Sequence, residues 1–154
     1  MIDGTFHQGD LDSTDVVELL ELHFGAMRSI SPPQACHVLP VDRLHDPSVT
    51  FWSMREHGLL LGIGALKELE PDHGEVKSMR TAPGSLGRGV GKAMLAHIVA
   101  EARRRGYARL SLETGTIEPF AAAIRLYTGD GFVPCGAFGS YRETPFTRFF
   151  TRAL

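Results

Sequence analysis

Residues 84–95, which read GSLGRGVGKAML, place glycines at three alternate positions immediately before an apolar helical pattern. The glycines are Gly87, Gly89 and Gly91. Glycine allows a sharp turn and lets backbone N–H groups approach a ligand closely, and the N-terminus of a helix carries roughly half a positive charge. A strand-to-helix turn by itself needs only one or two glycines. The third glycine therefore favours an anion-binding cradle, with phosphate as the expected ligand.

Known phosphate-binding patterns fit this stretch only in part. A Walker loop requires a glycine and a hydroxyl residue at the positions occupied by Leu86 and Ala93, so that pattern fails twice. The dinucleotide pattern G-x-G-x-x-G matches the first two glycines but meets Lys92 at the third position. Because Glu113 ends the next predicted strand, where that pattern expects an acid, an NAD-binding oxidoreductase remains an alternative.

The spacing of apolar residues predicts helices and strands in a mixed order. The predicted elements are a helix at 12–27, strands at 49–55, 59–69 and 75–82, a helix from the glycine stretch to 106, a strand at 108–115, a helix at 118–131 and closing strands at 132–138 and 145–154. Residues 29–40 are expected to form a loop, because Pro32 and Pro33 cannot lie inside a helix. The order predicts one α/β (α+β) domain over residues 1–154, with a mixed central sheet of about six to seven strands and helices on both faces.

Composition limits the partners and the compartment. The formal net charge is -2, with 22% charged residues, so nothing favours nucleic acid or an anionic membrane as a partner. The two cysteines, Cys36 and Cys135, are far apart, and the start of the chain has no apolar leader segment. These features favour free thiols and a cytoplasmic location. The seven histidines lack ligand spacing, so we expect no metal site.

The stretch TAPGSLGRGVGKAML resembles the acyl-coenzyme A loop of the GNAT acetyltransferase superfamily, whose pattern is V-x-P followed by (Q/R)-x-x-G-x-(G/A). Residues 81–83 take the V-x-P place, and Gly89 and Gly91 take the two small positions. Leu86 stands where the pattern has Gln or Arg. Since such a cradle works mainly through backbone donors, we expect this departure to remove one edge contact without abolishing binding.

A second stretch, AIRLYTGDGF, resembles the superfamily pattern A-x-x-L-Y-x-x-x-G-F. The matching residues are Ala123, Leu126, Tyr127, Gly131 and Phe132. The asparagine that is usual three residues before the alanine is Phe120 here. Other segments, among them HGEVKSMRT and RGYARLSLETG, are similar to a bacterial branch of N-acetyltransferases that are sometimes labelled indole-acetic acid acetyltransferases. Indole-acetic acid has no basic amine, so we expect a different acceptor.

The resemblance implies the GNAT fold and an N-acetyltransferase that moves an acetyl group from acetyl-CoA to a primary amine of a small molecule or peptide, by direct attack in a ternary complex. It implies these residues for coenzyme binding: Met79, Arg80, Thr81, Leu86, Gly87, Arg88, Gly89, Val90, Gly91, Lys92, Phe120 and Ala123. Dimers are common in the superfamily, so a homodimer through the aromatic C-terminal segment is expected. A non-catalytic acyl-CoA-binding or sensor module on the same fold is the alternative.

The resemblance also implies that Tyr127 is the general acid that protonates the leaving thiolate. For the base, Glu75 and Glu113 are the candidates, with Glu68 as a third and a chain of water molecules as an alternative. Period-two alternation along the strand would put Glu75, Lys77, Met79 and Thr81 on one face, beside the thioester. This shared face is expected from the spacing of the four residues alone.

The acceptor site is expected in residues 29–40 and 49–55, which resemble the superfamily least. Within this part, His37 and Trp52 are the candidate substrate-binding residues, together with Lys77 on the later strand. The simpler interpretation of Trp52 is a core residue. The sequence does not identify the acceptor itself.

Overall fold

The computed structural model describes residues 2–30 and 40–154. Its helices are α1 (Thr14–Ile30), α2 (Val90–Arg104) and α3 (Ala121–Gly129). Its strands are β1 (Thr5–Gln8), β2 (Val49–Glu56), β3 (Leu59–Glu70), β4 (His73–Thr81), β5 (Arg109–Gly115), β6 (Val133–Cys135) and β7 (Thr147–Ala153). The sequence analysis missed β1, a four-residue edge strand with little apolar content.

The strands form one seven-stranded sheet in the order β1-β2-β3-β4-β5-β7-β6. All neighbours are antiparallel except β4 and β5, which are parallel. The predicted mixed sheet and the α/β class are therefore confirmed. None of the helices in the described part of the chain is long and apolar enough to cross a membrane.

Helices cover both faces of the sheet. On one face, apolar residues of α2 such as Met94 and Ile98 pack on Leu66 of β3 and Leu112 of β5. On the other face, residues of α1 including Leu19 pack in a second cluster with side chains of β2 and β3. We call these faces the α2 face and the α1 face.

The sheet opens between its two parallel strands. Pairing of β4 with β5 extends only over 73–75 and 109–111. Beyond that point β5 continues to Gly115 beside β7, whereas β4 continues to Thr81 beside β3. Within residues 2–30 and 40–154, the edge of 76–81 that faces away from β3 therefore has no strand partner, and an extended ligand can pair with such an edge.

A β-bulge in β4 overturns the predicted sharing of one face by Glu75, Lys77, Met79 and Thr81. The register runs from Ile63 opposite Arg80 to Ala65 opposite Lys77, so β4 contains one extra residue. A bulge of this kind reverses the alternation of side chains beyond it. The bulged segment includes Ser78, which has a φ of 56°, is buried, and has no hydrogen-bond partner for its hydroxyl among the described residues.

The contacts show which residues lie on each face. Val76 packs in the cluster under α2, so its neighbours Glu75 and Lys77 lie on the α1 face. After the bulge, Met79 packs against the α2 cluster, whereas Arg80 bonds to His23 of α1. Glu75 and Met79, a base candidate and a residue expected to line the coenzyme, are therefore on opposite faces of β4.

Candidate active site

A cleft of about 210 Å³ lies between the end of β4, the start of α2 and α3. Its wall is formed by Ile63, Met79, Arg80, Thr81, Val90, Gly91, Met94, Ala122, Ala123, Leu126 and Tyr127. The cleft thus brings together residues from both sequence motifs, the glycine stretch and the Tyr127 segment. The edge of β4 that has no strand partner forms one of its sides.

The glycine stretch forms the turn that starts α2. Gly87 has a φ of 77° and Gly89, the N-cap residue, has a φ of 84°, a region that other residues rarely adopt. The first helical hydrogen bond runs from the N–H of Ala93 to the carbonyl of Gly89 at 3.0 Å. The N–H groups of 90–92 consequently have no acceptor within the helix and can bind an anion.

Gly91 has a different role, because it sets the distance between α2 and α3. A Cβ atom at this position would lie 3.2 Å from Cδ2 of Leu126. The absence of a side chain therefore lets the two helices that flank the cleft approach each other closely.

Three side chains of this turn, those of Leu86, Arg88 and Lys92, are not part of the cleft wall. Leu86 is 69% exposed, and Lys92 is also exposed. The guanidinium of Arg88 forms an ion pair with Glu56 at 2.8 Å, which ties the turn to the end of β2. The backbone N–H groups of 90–92 are donors at the helix start, and the coenzyme contacts expected of the Leu86, Arg88 and Lys92 side chains stay a prediction.

Tyr127 lines the cleft from α3 and is only 7% exposed. Burial raises the pKa of its hydroxyl, and no other cause contributes to the shift. The phenol therefore stays protonated at neutral pH, as a proton donor must be. Its ring packs edge to face on Phe132, with ring centroids 5.9 Å apart, which fixes its direction.

Phe120 occupies the place of the usual asparagine and packs on the end of β5. A Cβ atom on Gly115 would overlap the Phe120 ring, with the nearest ring atom at 2.1 Å. Phe120 also precedes α3 as its N-cap residue without a side-chain capping bond. An aromatic contact thus replaces a polar side chain here, while Ala123, one turn later, lines the cleft.

A buried polar cluster lies on the α1 face of β4. Glu75, which is 2% exposed, accepts a hydrogen bond of 2.6 Å from the hydroxyl of Tyr141 and an ion-paired one of 3.2 Å from Nζ of Lys77. Lys77 also donates to the Tyr141 hydroxyl at 2.7 Å. Burial and the charges of Glu75 and Glu113 raise the pKa of Tyr141. Both base candidates are therefore near Tyr141.

Tyr141 is a site residue that the sequence analysis missed. It belongs to residues 136–146, between β6 and β7, which the sequence does not link to β4. The link follows from the strand order, because β7 lies beside β5 and β5 lies beside β4. The segment CGAFGSY resembles the bacterial branch, and this was the only signal that could have drawn attention to Tyr141.

Two acceptor-side predictions are not part of this arrangement. Trp52 was expected as a substrate wall, but it is 4% exposed and packs in the core under α2, edge to face against His97. Trp52 thus lies where its simpler interpretation, a core residue, puts it, because β2 turns this side chain to the α2 face. His37 lies outside the described residues.

Glu68, the third base candidate, also lies elsewhere. It is exposed near the far end of β3, where it accepts a hydrogen bond of 3.1 Å from the hydroxyl of Tyr107. For metals, the described residues include no group of three or more His, Cys, Asp or Glu side chains that could hold an ion.

The site can bind an extended ligand along β4, hold an anion at the start of α2, and supply both a proton donor and a buried carboxylate, Glu75. This combination, on a mixed sheet that opens between two parallel strands, defines an acyltransferase. The chain belongs to the acetyltransferase (GNAT) family, whose sequence model matches residues 14–132.

Individual relatives agree with this assignment. The chain is 47% identical over 145 residues to the uncharacterized N-acetyltransferase YsnE of Bacillus subtilis, covering 94% of this chain and 96% of YsnE. It is 47% identical to the uncharacterized N-acetyltransferase YedL of Escherichia coli over 150 residues, covering 97% and 94% of the two chains. An IAA acetyltransferase of Azospirillum brasilense is 34% identical over 140 residues, with 90% of each chain covered.

Solved structures share the fold. A structure from Klebsiella pneumoniae, described as an acyl-CoA N-acyltransferase, superposes with a TM-score of 0.79 at 27% identity and covers 99% of this chain and 98% of its own. A GNAT family acetyltransferase from Elizabethkingia anophelis, solved with acetyl-CoA bound, has a TM-score of 0.70 at 17% identity and covers 98% of both chains. The expected GNAT fold is confirmed.

Proposed function

We propose that this protein is an N-acetyltransferase that transfers the acetyl group of acetyl-CoA to a primary amine of a small molecule or peptide. The observation that carries the proposal is the cleft that joins the unpaired edge of β4, the glycine turn and Tyr127. The chain fits the coenzyme in two respects. The space beside Gly87 and Gly89 is open, since a Cβ atom at either position would meet nothing within 4 Å, and the N–H groups of 90–92 have no acceptor within the helix and can donate to a pyrophosphate. The acetyl-CoA bound to the Elizabethkingia structure supports the same cosubstrate.

The reaction would form a bond from the amine nitrogen to the acetyl carbon and break the carbon–sulfur bond of the thioester. Tyr127 would give its proton to the leaving thiolate. The backbone of 79–81 would hold the extended arm of the coenzyme, and the turn at 87–92 would bind its pyrophosphate. Holding both reactants together supplies much of the rate enhancement.

On the other face of β4, the acceptor would lose its ammonium proton toward the carboxylates of Glu75 and Glu113. The hydroxyl of Tyr141 donates to Glu75 and accepts from Lys77, so it can pass a proton along this chain of hydrogen bonds. The bulge at Ser78 would place the coenzyme and the acceptor on opposite sides of the same strand, with the thioester between them.

The proposal treats residues 1–154 as one catalytic domain. The cluster under α2 supports this, since it joins Met54 and Leu66 from one side of the sheet opening with Leu110 and Phe150 from the other. Shared burial across the opening would make the two halves unfold together. Dimer formation stays a prediction.

The test is release of free thiol from acetyl-CoA with a library of amines, compared between wild type and Tyr127→Phe. We expect kcat to fall about 100-fold or more in the variant, because general acid catalysis contributes on that scale, with coenzyme affinity within about twofold of wild type. Tyr107→Phe is the matched control, since it also removes a largely buried tyrosine hydroxyl but one that bonds to Glu68. Thiol release that is unaffected by Tyr127→Phe would remove Tyr127 from the mechanism. Saturable acetyl-CoA binding without release to any amine would favour the acyl-CoA sensor instead.

A further inference from the structure

Arg80 is a half-buried cation at the cleft whose charge has no acidic partner. Its Nε donates a hydrogen bond of 2.9 Å to Nδ1 of His23 on α1. Burial is the only cause that shifts the pKa of Arg80, and it lowers it, as expected where no carboxylate compensates the charge. No ion pair of Arg80 occurs within residues 2–30 and 40–154, and residues 31–39, SPPQACHVL, contain no Asp or Glu.

His23 does not neutralise Arg80. Since its Nδ1 accepts the hydrogen bond, the imidazole is in its neutral form. Burial and the charge of Arg80 lower the pKa of His23 to about 4. His23 therefore fixes the direction of the guanidinium through Nε. Neither terminal nitrogen of Arg80 has a hydrogen-bond partner in the part of the chain that the structure describes.

The β4 bulge places this cation away from the expected phosphate position. Arg80 lines the cleft beside Met79 and Thr81, as its predicted coenzyme contact requires, but its side chain bonds to α1, whereas the glycine turn is at the start of α2. Along the α1 face of β4, Arg80 follows Lys77 and Glu75. It therefore lies on the face that the proposed function gives to the acceptor.

Charge is distributed unequally along this face. The polar cluster around Tyr141 contains two carboxylates, Glu75 and Glu113, and one ammonium group, Lys77. One end of the face is therefore suited to an ammonium group, and the end at Arg80 is suited to an anion. Guanidinium groups bind carboxylates and phosphates through paired hydrogen bonds, which makes them selective for such ligands.

We propose that the acetyl acceptor carries an anionic group, a carboxylate or a phosphate, in addition to its amine, and that Arg80 binds this anion. This inference rests on the proposed transfer reaction and names the class of its acceptor. The ammonium group is directed toward Glu75 and Glu113, and the anionic group pairs with the terminal nitrogens of Arg80. An amine that also carries a carboxylate or a phosphate fits this description, and a neutral or purely cationic amine does not.

The test compares acceptors that differ only in the anion. α-Amino acids are assayed beside their α-amino amides, and phosphoethanolamine beside ethanolamine, with thiol release as the readout. We expect kcat/KM to favour the anionic member of a pair at least about tenfold, as a charge-assisted pair of hydrogen bonds provides. A preference within the amino acid series would identify the bound anion as a carboxylate, and a preference for phosphoethanolamine over ethanolamine would identify it as a phosphate. Equal use of both members in every pair would overturn the inference.

Arg80→Met keeps the length and apolar volume of the side chain and removes its charge. The KM for the anionic acceptor should rise about 10- to 100-fold, whereas the KM for its neutral partner and the affinity for coenzyme A should stay within about twofold. Arg104→Met is the matched control, because Arg104 is 72% exposed at the end of α2 and should leave all values unchanged. A loss of coenzyme affinity in Arg80→Met, with no change for the acceptor, would assign Arg80 to the coenzyme and contradict the inference.

A binding measurement keeps the inference testable without turnover. Protein saturated with coenzyme A is titrated with the acetylated forms of the same pairs. These are N-acetylated amino acids beside their amides, and N-acetylated phosphoethanolamine beside N-acetylated ethanolamine. Binding of the anionic members alone, abolished in Arg80→Met, would support the anion site even if no amine releases thiol, in which case only the proposed transfer fails. Binding of neither member would overturn the anion site.

Discussion

Gly89 shows how much one residue can constrain the coenzyme site. Its φ of 84° belongs to the left-handed region, and it caps the helix whose first N–H groups are available for an anion. The spacing of the glycines predicted an anion cradle here, because three alternate glycines exceed what a turn needs, and the resemblance to the superfamily then implied coenzyme A as its ligand. The same reasoning could not predict the role of Tyr141, whose partners Glu75 and Lys77 are more than sixty residues away in sequence.

Replacing Gly89 by valine should weaken coenzyme binding about 10- to 100-fold, as expected when charge-assisted hydrogen bonds from the turn are lost. The cause is strain and not a clash with protein, since a Cβ atom at Gly89 would meet nothing within 4 Å. A β-branched residue disfavours this φ by about 1–3 kcal/mol and would distort the turn. Calorimetric titration of the variant with coenzyme A measures the effect.

The matched control is Gly58→Val in the hairpin between β2 and β3. Gly58 has a φ of 81° and equally open space around its Cβ position. It should therefore lose similar stability and keep its affinity for coenzyme A. An unchanged affinity in a folded Gly89→Val protein would contradict the proposed pyrophosphate cradle.

At the scale of elements, β4 is the strand that the sequence described least well. Alternation predicted one face for Glu75, Lys77, Met79 and Thr81, but the bulge divides them between two faces. No composition signal marked the bulge, because Ser78 is not a glycine although its φ is positive. Tertiary contacts therefore determine the bulge: Met79 packs toward α2, and Arg80 bonds to His23 on α1.

The contact between α1 and β4 should make stability depend on pH. The pKa of His23 is lowered to about 4, whereas in the unfolded chain it is about 6.5. Between these values the unfolded state binds more protons, so the free energy of unfolding falls as pH falls. The contribution is fully present above about pH 6.5 and is lost toward pH 4, for a total of about 3 kcal/mol.

His23→Gln should flatten this profile, because glutamine can still accept the hydrogen bond from Arg80 and does not titrate. Urea unfolding at several pH values between 4 and 7 measures it. His45→Gln, at an exposed histidine, is the control that should keep the wild-type slope. His97 also has a pKa lowered by burial, so part of the slope should persist in His23→Gln. Identical slopes in wild type and His23→Gln would contradict the role given to the buried imidazole.

At the scale of the whole molecule, the site exists because the sheet opens between β4 and β5. The sequence predicted the class, the order of most elements and the two motifs that meet at the cleft. It could not predict the strand order, which brings residues 136–146 of the β6–β7 connection to the α1 face of β4.

The proposal that this cleft binds the coenzyme is tested most directly by calorimetric titration of the purified protein with acetyl-CoA, with NAD as a parallel titrant. Saturable binding at one site by acetyl-CoA, and none by NAD, is the predicted result. The turn at Gly89 and the open edge of β4 would then have the ligand that their geometry favours. A well-folded protein that does not bind acetyl-CoA, or that binds NAD instead, would contradict the proposed use of this cleft.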